Sequence, residues 1–205
     1  MKIGARTPWG KADHVKEVVP GIWQVSTPGH GGYKLDREHN AKVHAAWRNA
    51  GGWYEEDCEW ARVVLTFPEL FAENDREQAH STAKQYTPDE YTAVIGRPVT
   101  PAESRKLRER AFTATMADRY VATTAWGDWH PGVPKGFVGV YAVLGGSDLD
   151  GYRPRGTGKH YLVSVSRYEQ RAEFGLVIDE TVDQPWAGEN ATSRVAPVAI
   201  VEVPQ

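Results

Sequence analysis

The sequence predicts an α+β fold, in which a central helical region over about residues 36–125 packs on a mainly antiparallel sheet. Helical periodicity and capping signals fill the middle of the chain. Runs rich in β-branched and aromatic residues, bounded by Gly, Pro, Asp and Asn, lie on both sides of it. Strands grouped at the two ends, without βαβ alternation, are typical of this class. We expect the N-terminal and C-terminal strands to share the sheet.

The helical elements are predicted from their boundaries. Asp36 is a predicted N-cap for a helix over residues 36–47, which two glycines follow. A helix over residues 55–66 ends before Pro68, and Pro68 opens a third helix to about residue 84. Residues 87–90 and 100–103 both read Thr-Pro-x-Glu, a capping box with proline at the first helical position. The first of these helices ends at Gly96, and the second reaches about residue 120.

The strand elements are short and lie near both ends of the chain. They are predicted over residues 22–26, 33–35, 137–144, 161–165, 174–178 and 195–203. A capping box at residues 166–169 predicts one or two helical turns between two of them.

Length and charge limit the classes of protein. The 205 residues carry 25% charged side chains and a net charge of −3, which predicts one domain over residues 1–205 with a flexible tail over 183–205. There is no run of about 18 apolar residues and no apolar signal segment at the N-terminus, so we expect a cytoplasmic protein without a membrane partner. Nucleic acid is not expected as a partner, because acidic residues interrupt the basic stretch over 105–110.

Four residues are candidates for catalysis: His30, Glu56, Asp57 and His130. Glu56 and Asp57 fall in the first turn of the predicted helix over 55–66. They either complement the helix dipole there or form a pair of acids directed into a cleft. His30 lies among three glycines in the loop over 26–33, where it is either a base beside a ligand or a solvent-facing residue of a tight turn.

A loop over residues 126–134 contains Trp126, Trp129 and His130 between Pro and Gly. Tryptophans in such a loop form a recognition surface or fill the junction between helices and sheet. Tyr33 and Trp53 are further aromatic binding candidates. The loop over 151–159 supplies three cationic binding candidates, although its glycine spacing does not match a phosphate loop and a solvated hairpin tip explains it equally. These cations are Arg153, Arg155 and Lys159.

Neither a metal site nor a cofactor is predicted. Cys58 is the single cysteine, and the histidines show no tight metal-binding spacing. The chain also lacks the hydrolase nucleophile elbow, the His-Glu-x-x-His motif and the dinucleotide fingerprint.

Several segments together carry a resemblance to a known family. They are Thr7-Pro8-Trp9-Gly10, Ser26-Thr27-Pro28-Gly29-His30-Gly31-Gly32-Tyr33 and Gly52-Trp53-Tyr54-Glu55-Glu56-Asp57-Cys58-Glu59-Trp60-Ala61. With these motifs the chain resembles a family of uncharacterised proteins carried by bacteriophages and plasmids, classed as a domain of unknown function. The resemblance implies an accessory protein of a mobile element that acts in a bacterial cytoplasm, and it implies no activity or cofactor.

Two functions follow as expectations. The first is a non-catalytic accessory protein that binds a host or defence protein, because the chain has eight tryptophans and no established catalytic motif. The alternative is a small enzyme, a hydrolase or a nucleotide-modifying protein, that acts on a small molecule. Its site would lie where helices meet the sheet, around His30, Glu56 and Asp57.

Overall fold

The computed structural model describes residues 1–147 and 158–188, and it confirms the α+β class: helices accompany antiparallel sheets in the described part of the chain. The chain divides into two compact units, unit 1 over Met1–Arg108 and unit 2 over Glu109–Gln205. The N-terminal strands form their sheet within unit 1 and the C-terminal strands form theirs within unit 2. The single shared sheet that we expected is therefore replaced, in the described residues, by a separate four-stranded sheet in each unit.

Unit 1 is built on a four-stranded antiparallel meander. Its strands pair in chain order, after a two-stranded ribbon of β1 and β2 at the N-terminus. The strands are β1 Arg6–Thr7, β2 Gly10–Lys11, β3 His14–Val19, β4 Ile22–Ser26, β5 Gly31–Leu35 and β6 Trp53–Glu55. The bounds of β4 agree with the prediction, whereas β3 and β6 were not predicted.

Helices accompany this sheet. They are α1 Arg37–Lys42, α2 Trp60–Thr66, α3 Glu73–Tyr86 and α4 Pro88–Ile95, with 3₁₀ turns at Ala45–Trp47, Pro68–Leu70 and Pro101–Glu103. The helix α5 Arg105–Ala114 follows, and the boundary between the units falls within it. Buried Ile22 and Leu35 from the sheet join Val63, Val64 and Ala79 from α2 and α3 in one apolar core. Burial of such side chains is the main stabilising contribution, at roughly 1.5–3 kcal/mol for each large aliphatic side chain.

Two predicted helix boundaries are confirmed in unit 1. The Asp36 carboxylate caps α1, because its Oδ1 accepts the backbone N–H of His39 at 2.8 Å. Gly96 ends α4 in the left-handed conformation, with φ of 76°. Both features are local, since they depend on residues within one helical turn.

The helix predicted over residues 55–66 begins only at Trp60. Residues 53–55 instead form β6, which pairs with β5. The N–H of Glu56 continues this pairing, because it donates to the carbonyl of Gly31 at 3.0 Å. The buried Tyr54 side chain is fully enclosed in the core. Strand pairing and burial override the local helical pattern here, so the placement of Glu56 and Asp57 in a first helical turn was wrong.

The long helix predicted from residue 101 to about 120 was also wrong. The capping box is present, because Glu103 Oε2 accepts the N–H of Thr100 at 3.2 Å, yet it begins only the short turn Pro101–Glu103. The next residue, Ser104, is buried in extended geometry and its hydroxyl donates to the carbonyl of Gln85 at 3.2 Å. This contact separates the turn Pro101–Glu103 from the helix α5, which begins at Arg105. Unit 2 begins at Glu109, within α5.

Unit 2 contains an antiparallel sheet with the strand order β10-β9-β8-β7. Its elements are β7 Tyr120–Trp126, β8 Phe137–Leu144, β9 Gly158–Ser164, the helix α6 Val165–Glu169 and β10 Gln184–Pro185. The prediction for β8 is confirmed at both ends. Residues 174–178 were predicted as a strand, but they join β7 only through an isolated bridge between Val121 and Val177. The strand predicted over 195–203 lies outside the described residues.

Both faces of the unit 2 sheet are covered, as alternating residues of β9 show. Tyr161 and Val163 belong to a cluster that includes Leu176, whereas Leu162 packs with Val133 and Trp186. Successive strand residues point to opposite faces, so these two clusters lie on opposite sides of the sheet. Residues 183–188 were assigned to the tail, yet Asp183 and Trp186 are buried in this unit.

No helix in the described part of the chain is long and apolar enough to cross a lipid bilayer.

Candidate functional site

The position of His30 is fixed by the tight turn between β4 and β5. The backbone N–H and the hydroxyl of Thr27 both donate to the carbonyl of His30, at 2.7 and 2.9 Å, and the N–H of His30 donates back to Thr27 Oγ1 at 3.2 Å. These bonds satisfy the turn backbone without using the imidazole, whose side chain is 58% exposed. The tight turn proposed for this loop is therefore present, and it leaves the ring free to meet Glu55.

Two glycines next to this turn allow other groups to approach closely. A Cβ on Gly31 would lie 2.6 Å from Glu56 Oε2. Gly32 adopts a φ of 151°, and a Cβ there would collide with the carbonyl oxygen of Tyr54 and lie 2.7 Å from the Trp9 ring. Any side chain at these positions would displace the Glu56 carboxylate or the β6 backbone. Because Gly31 and Gly32 have no side chains, the Glu56 carboxylate and the β6 backbone can lie directly against β5.

His30, Glu55 and Glu56 converge beside these glycines. One potential ligand atom from each residue lies within 4.8 Å of the others. His30 Nδ1 and Glu55 Oε1 are 3.6 Å apart. The register that pairs Gly32 with Glu55 produces this arrangement, because it puts the end of β6 directly opposite the start of β5.

Glu55 contains an unsatisfied polar atom. Its Oε1 is buried and has no hydrogen-bond partner among the described residues, whereas its Oε2 accepts the N–H of Asp57 at 2.7 Å. A buried oxygen without a donor is destabilising, at roughly 1–3 kcal/mol. The orphaned atom faces His30, so a proton on Nδ1 or a bound cation would satisfy it.

Asp57 is not a member of this three-residue group. It is exposed in the turn after β6, and it reaches the site through its backbone N–H to Glu55. The neighbouring thiol of Cys58 is an unsuitable nucleophile, because burial and then the carboxylates of Asp57 and Glu55 raise its pKa.

A cleft of about 510 Å³ adjoins the group in unit 1, and Glu56 is one of its lining residues. Sheet residues Lys16, Gln24 and Tyr33 form one part of its wall, and helix-side residues Trp60, Phe71 and Asp75 form another. Burial, and then the negative charge of Asp75, raises the pKa of the Tyr33 phenol. The volume of the cleft lies within the range of small-molecule binding sites.

The group has the donor types that divalent cations such as Zn²⁺ use, namely one imidazole nitrogen and two carboxylate oxygens. Bonds of about 2 Å in a tetrahedral site bring such donors to about 3.3 Å from each other, so the side chains would have to move together from separations of up to 4.8 Å. The orphaned Glu55 oxygen fits such a role. Three protein ligands would leave one position for water or substrate.

Trp53 is packed rather than open to a ligand. Its ring makes an edge contact with Trp9, with centroids 5.5 Å apart, and Lys34 Nζ lies 5.1 Å from its centroid. Tyr33, by contrast, lines the cleft and makes an edge contact with Phe71 at 5.7 Å.

The aromatic candidates of unit 2 form a second cluster. Trp126 contacts His130, His160 and Trp186 at centroid separations of 6.4, 5.9 and 5.7 Å. The N–H of Gly132 donates to His130 Nδ1 at 3.2 Å, which assigns that nitrogen an acceptor role. Trp126 and His130 therefore pack within the unit.

Trp129 differs from its neighbours, because it is 74% exposed although one edge contacts the His130 ring at 6.0 Å. Lys159 pairs with Glu180 at 3.1 Å, lies over the Tyr120 ring and has a raised pKa because of the Glu180 bond. Arg153 and Arg155 lie outside the described residues.

Sequence reasoning identified His30 and Glu56 but missed Glu55, Lys16 and Asp75. Glu55 falls at the start of the helix predicted over residues 55–66, whereas the structure makes it the last residue of β6. The signal that could have corrected this is the Gly31-Gly32 pair, which suits a strand that receives close neighbours. Lys16 and Asp75 are distant in sequence and come together at the cleft only through the tertiary fold.

A family classed as a domain of unknown function, DUF7007, matches residues 2–117, and the chain belongs to this family. The matched segment contains the three-residue group and the whole cleft wall. Comparisons with curated proteins and with solved structures find no match.

Proposed function

We propose that this member of a family of unknown function is a small hydrolytic enzyme with its site at His30, Glu55 and Glu56. One observation carries the proposal: these three side chains converge at the edge of a cleft large enough for a small molecule. An imidazole beside a carboxylate is a frequent arrangement for moving protons at neutral pH.

The geometry suggests a role for each group. Glu55 Oε1, 3.6 Å from His30 Nδ1, favours a proton on that nitrogen and leaves Nε2 to accept a proton from water. Because His30 is exposed, that water has access to it. Glu56 lines the cleft and would orient the water or the substrate. A divalent cation held by the same three residues would instead lower the pKa of a bound water.

Hydrolysis of chromogenic carboxylic, phosphate monoester and phosphodiester substrates, with and without Mn²⁺ or Zn²⁺, tests this proposal. We expect turnover that His30→Ala, Glu55→Gln and Glu56→Gln each reduce by about 100-fold or more. Glu38→Gln removes an exposed carboxylate from α1 and should leave the rate unchanged. Absence of turnover with all three substrate classes, or equal rates in the site variants, would refute the assignment.

A second candidate function is a non-catalytic accessory protein, carried by a bacteriophage or plasmid, that binds a host or defence protein in the bacterial cytoplasm. The exposure of Trp129 supports it, because an exposed tryptophan is the residue type most enriched at energetic centres of interfaces.

Affinity capture of the tagged chain from bacterial lysate, read by mass spectrometry, tests this second function. We expect one stoichiometric protein that the native chain retains and Trp129→Ala loses. Trp126→Phe provides the control, because it changes a half-buried indole in the same cluster. Identical capture by the native chain and Trp129→Ala would remove Trp129 from the interface.

A further inference from the structure

We propose that the cleft of unit 1 binds a small molecule that has a primary amine attached to a flat apolar body. This inference concerns what the cleft recognises and does not rest on the proposed hydrolysis. It is argued from the charge balance of the lining residues, from the aromatic walls and from the volume.

The charged lining residues favour a cationic ligand. Glu56 and Asp75 provide two carboxylates, and Lys16 provides one ammonium group. No ion pair joins Glu56 or Asp75 to any residue that the structure describes. A concave surface with surplus negative charge attracts a cation more strongly than a neutral surface does.

The position of Asp75 supports the same charge preference. Asp75 lies in the first turn of α3, and its charge acts on the phenol of Tyr33 across the cleft wall. The amide side chains of Gln24 and Gln78 also line the space and can accept further N–H donors of an amine.

The remaining walls favour an apolar, flat body. Tyr33 and Phe71 form an edge-to-face pair with an interplanar angle of 89°, and Trp60 lines the same space. Aromatic walls stack on planar groups and attract cations to their faces. Val18, Val64 and Leu70 add aliphatic surface. A bare metal ion would leave these walls uncovered, whereas an aromatic amine would contact both them and the acids.

The test compares phenethylamine with 3-phenylpropanoate, which share the ring and the linker and differ in charge. Both are titrated into the full chain and followed by NMR of the ligand signals. We expect phenethylamine to bind with a Kd of about 1 mM, as suits a ligand of this size, and 3-phenylpropanoate to bind at least about tenfold more weakly.

The variant Asp75→Asn should weaken phenethylamine binding by about tenfold, because it removes a charged acceptor. Glu73→Gln is the matched control, since Glu73 lies in the same first turn of α3 but does not line the cleft. We expect it to bind phenethylamine like the native chain. Melting temperatures of both variants show whether the fold is retained.

Three results would overturn the inference: equal or tighter binding of 3-phenylpropanoate, unchanged affinity in a folded Asp75→Asn, or no saturable binding of the amine at about 10 mM. Glu55→Gln separates the two proposals, because Glu55 belongs to the hydrolytic group but is not a lining residue. If Glu55→Gln still binds the amine and the native chain hydrolyses none of the three substrate classes, the cleft assignment stands and only the hydrolase is removed.

Discussion

Two acids, Asp183 in unit 2 and Glu55 in unit 1, differ in how their buried oxygens are bonded. In unit 2 the buried Asp183 receives two bonds from the Arg167 guanidinium, at 2.8 and 2.7 Å, and one from the N–H of Asp179 at 2.8 Å. In unit 1 Glu55 keeps a buried oxygen without a donor, although 24% of its side chain is exposed. Satisfied acids stabilise a fold, whereas unsatisfied acids beside a cleft indicate a site retained for binding or chemistry.

The largest expected effect concerns the glycine that makes room for the unit 1 site. Gly32→Ala should destabilise the protein by about 3 kcal/mol or more, because its φ of 151° and the adjacent Tyr54 carbonyl leave no space for a Cβ. Urea unfolding measures the change. Gly29→Ala, in the preceding turn with open space around it, should change stability by less than about 0.5 kcal/mol. Equal effects of the two substitutions would contradict the close approach.

Asp183→Ala tests the satisfied acid of unit 2. We expect a loss of about 3 kcal/mol, because the Arg167 guanidinium and the Asp179 N–H both lose their acceptor. Chemical denaturation provides the measurement. The control is Glu38→Ala, which breaks the exposed ion pair with Lys42 and should cost about 1 kcal/mol or less. If Asp183→Ala proved as mild as the control, the contrast between the units would lose its main support.

Glu55→Gln tests the unsatisfied acid of unit 1. We expect the free energy of unfolding to stay the same or rise by up to about 1 kcal/mol, because function and stability conflict at such positions. Glu59→Gln is the control: its carboxylate bonds Asn49, Arg62 and the N–H of Glu55, so we expect a loss of about 1–2 kcal/mol. Thermal melts of the two variants and the native chain measure these changes in stability. A clear loss with Glu55→Gln would make Glu55 a structural residue.

The smallest expected effect is a pH dependence at Glu103, a half-buried acid of unit 1 that pairs with Arg97. The bond from Arg97, and then that from the Thr100 N–H, lowers the pKa of Glu103 from 4.5 to about 2. Because the folded pKa lies below the unfolded one, this stabilising contribution is present above pH 4.5 and is lost as the pH falls toward 2.

Glu103→Gln should therefore flatten the fall of unfolding free energy between pH 4.5 and 2, as measured by urea unfolding at several pH values. Glu38→Gln, which changes a carboxylate that is 81% exposed, should retain the native slope. An unchanged slope in Glu103→Gln would show that Arg97 does not hold this carboxyl group. A confirmed effect would show that Glu103, which lies away from the cleft, is a paired acid of unit 1.

The sequence determined the features that depend on near neighbours. The Asp36 cap, the left-handed Gly96 and the strand β8 follow from the intrinsic preferences of a few consecutive residues, and all three are confirmed. The glycines around His30 likewise identified a turn that holds a candidate histidine.

Only the tertiary structure decided which partner each ambiguous segment would take. Glu55 falls within the helix predicted over residues 55–66, yet pairing of residues 53–55 with β5 makes them a strand and brings Glu55 to His30. Asp75 and Lys16 meet at the cleft although 59 positions (75 minus 16) separate them in the chain. Contacts of this kind gain their free energy from burial and pairing between distant segments, and that contribution is absent from any local pattern of residues.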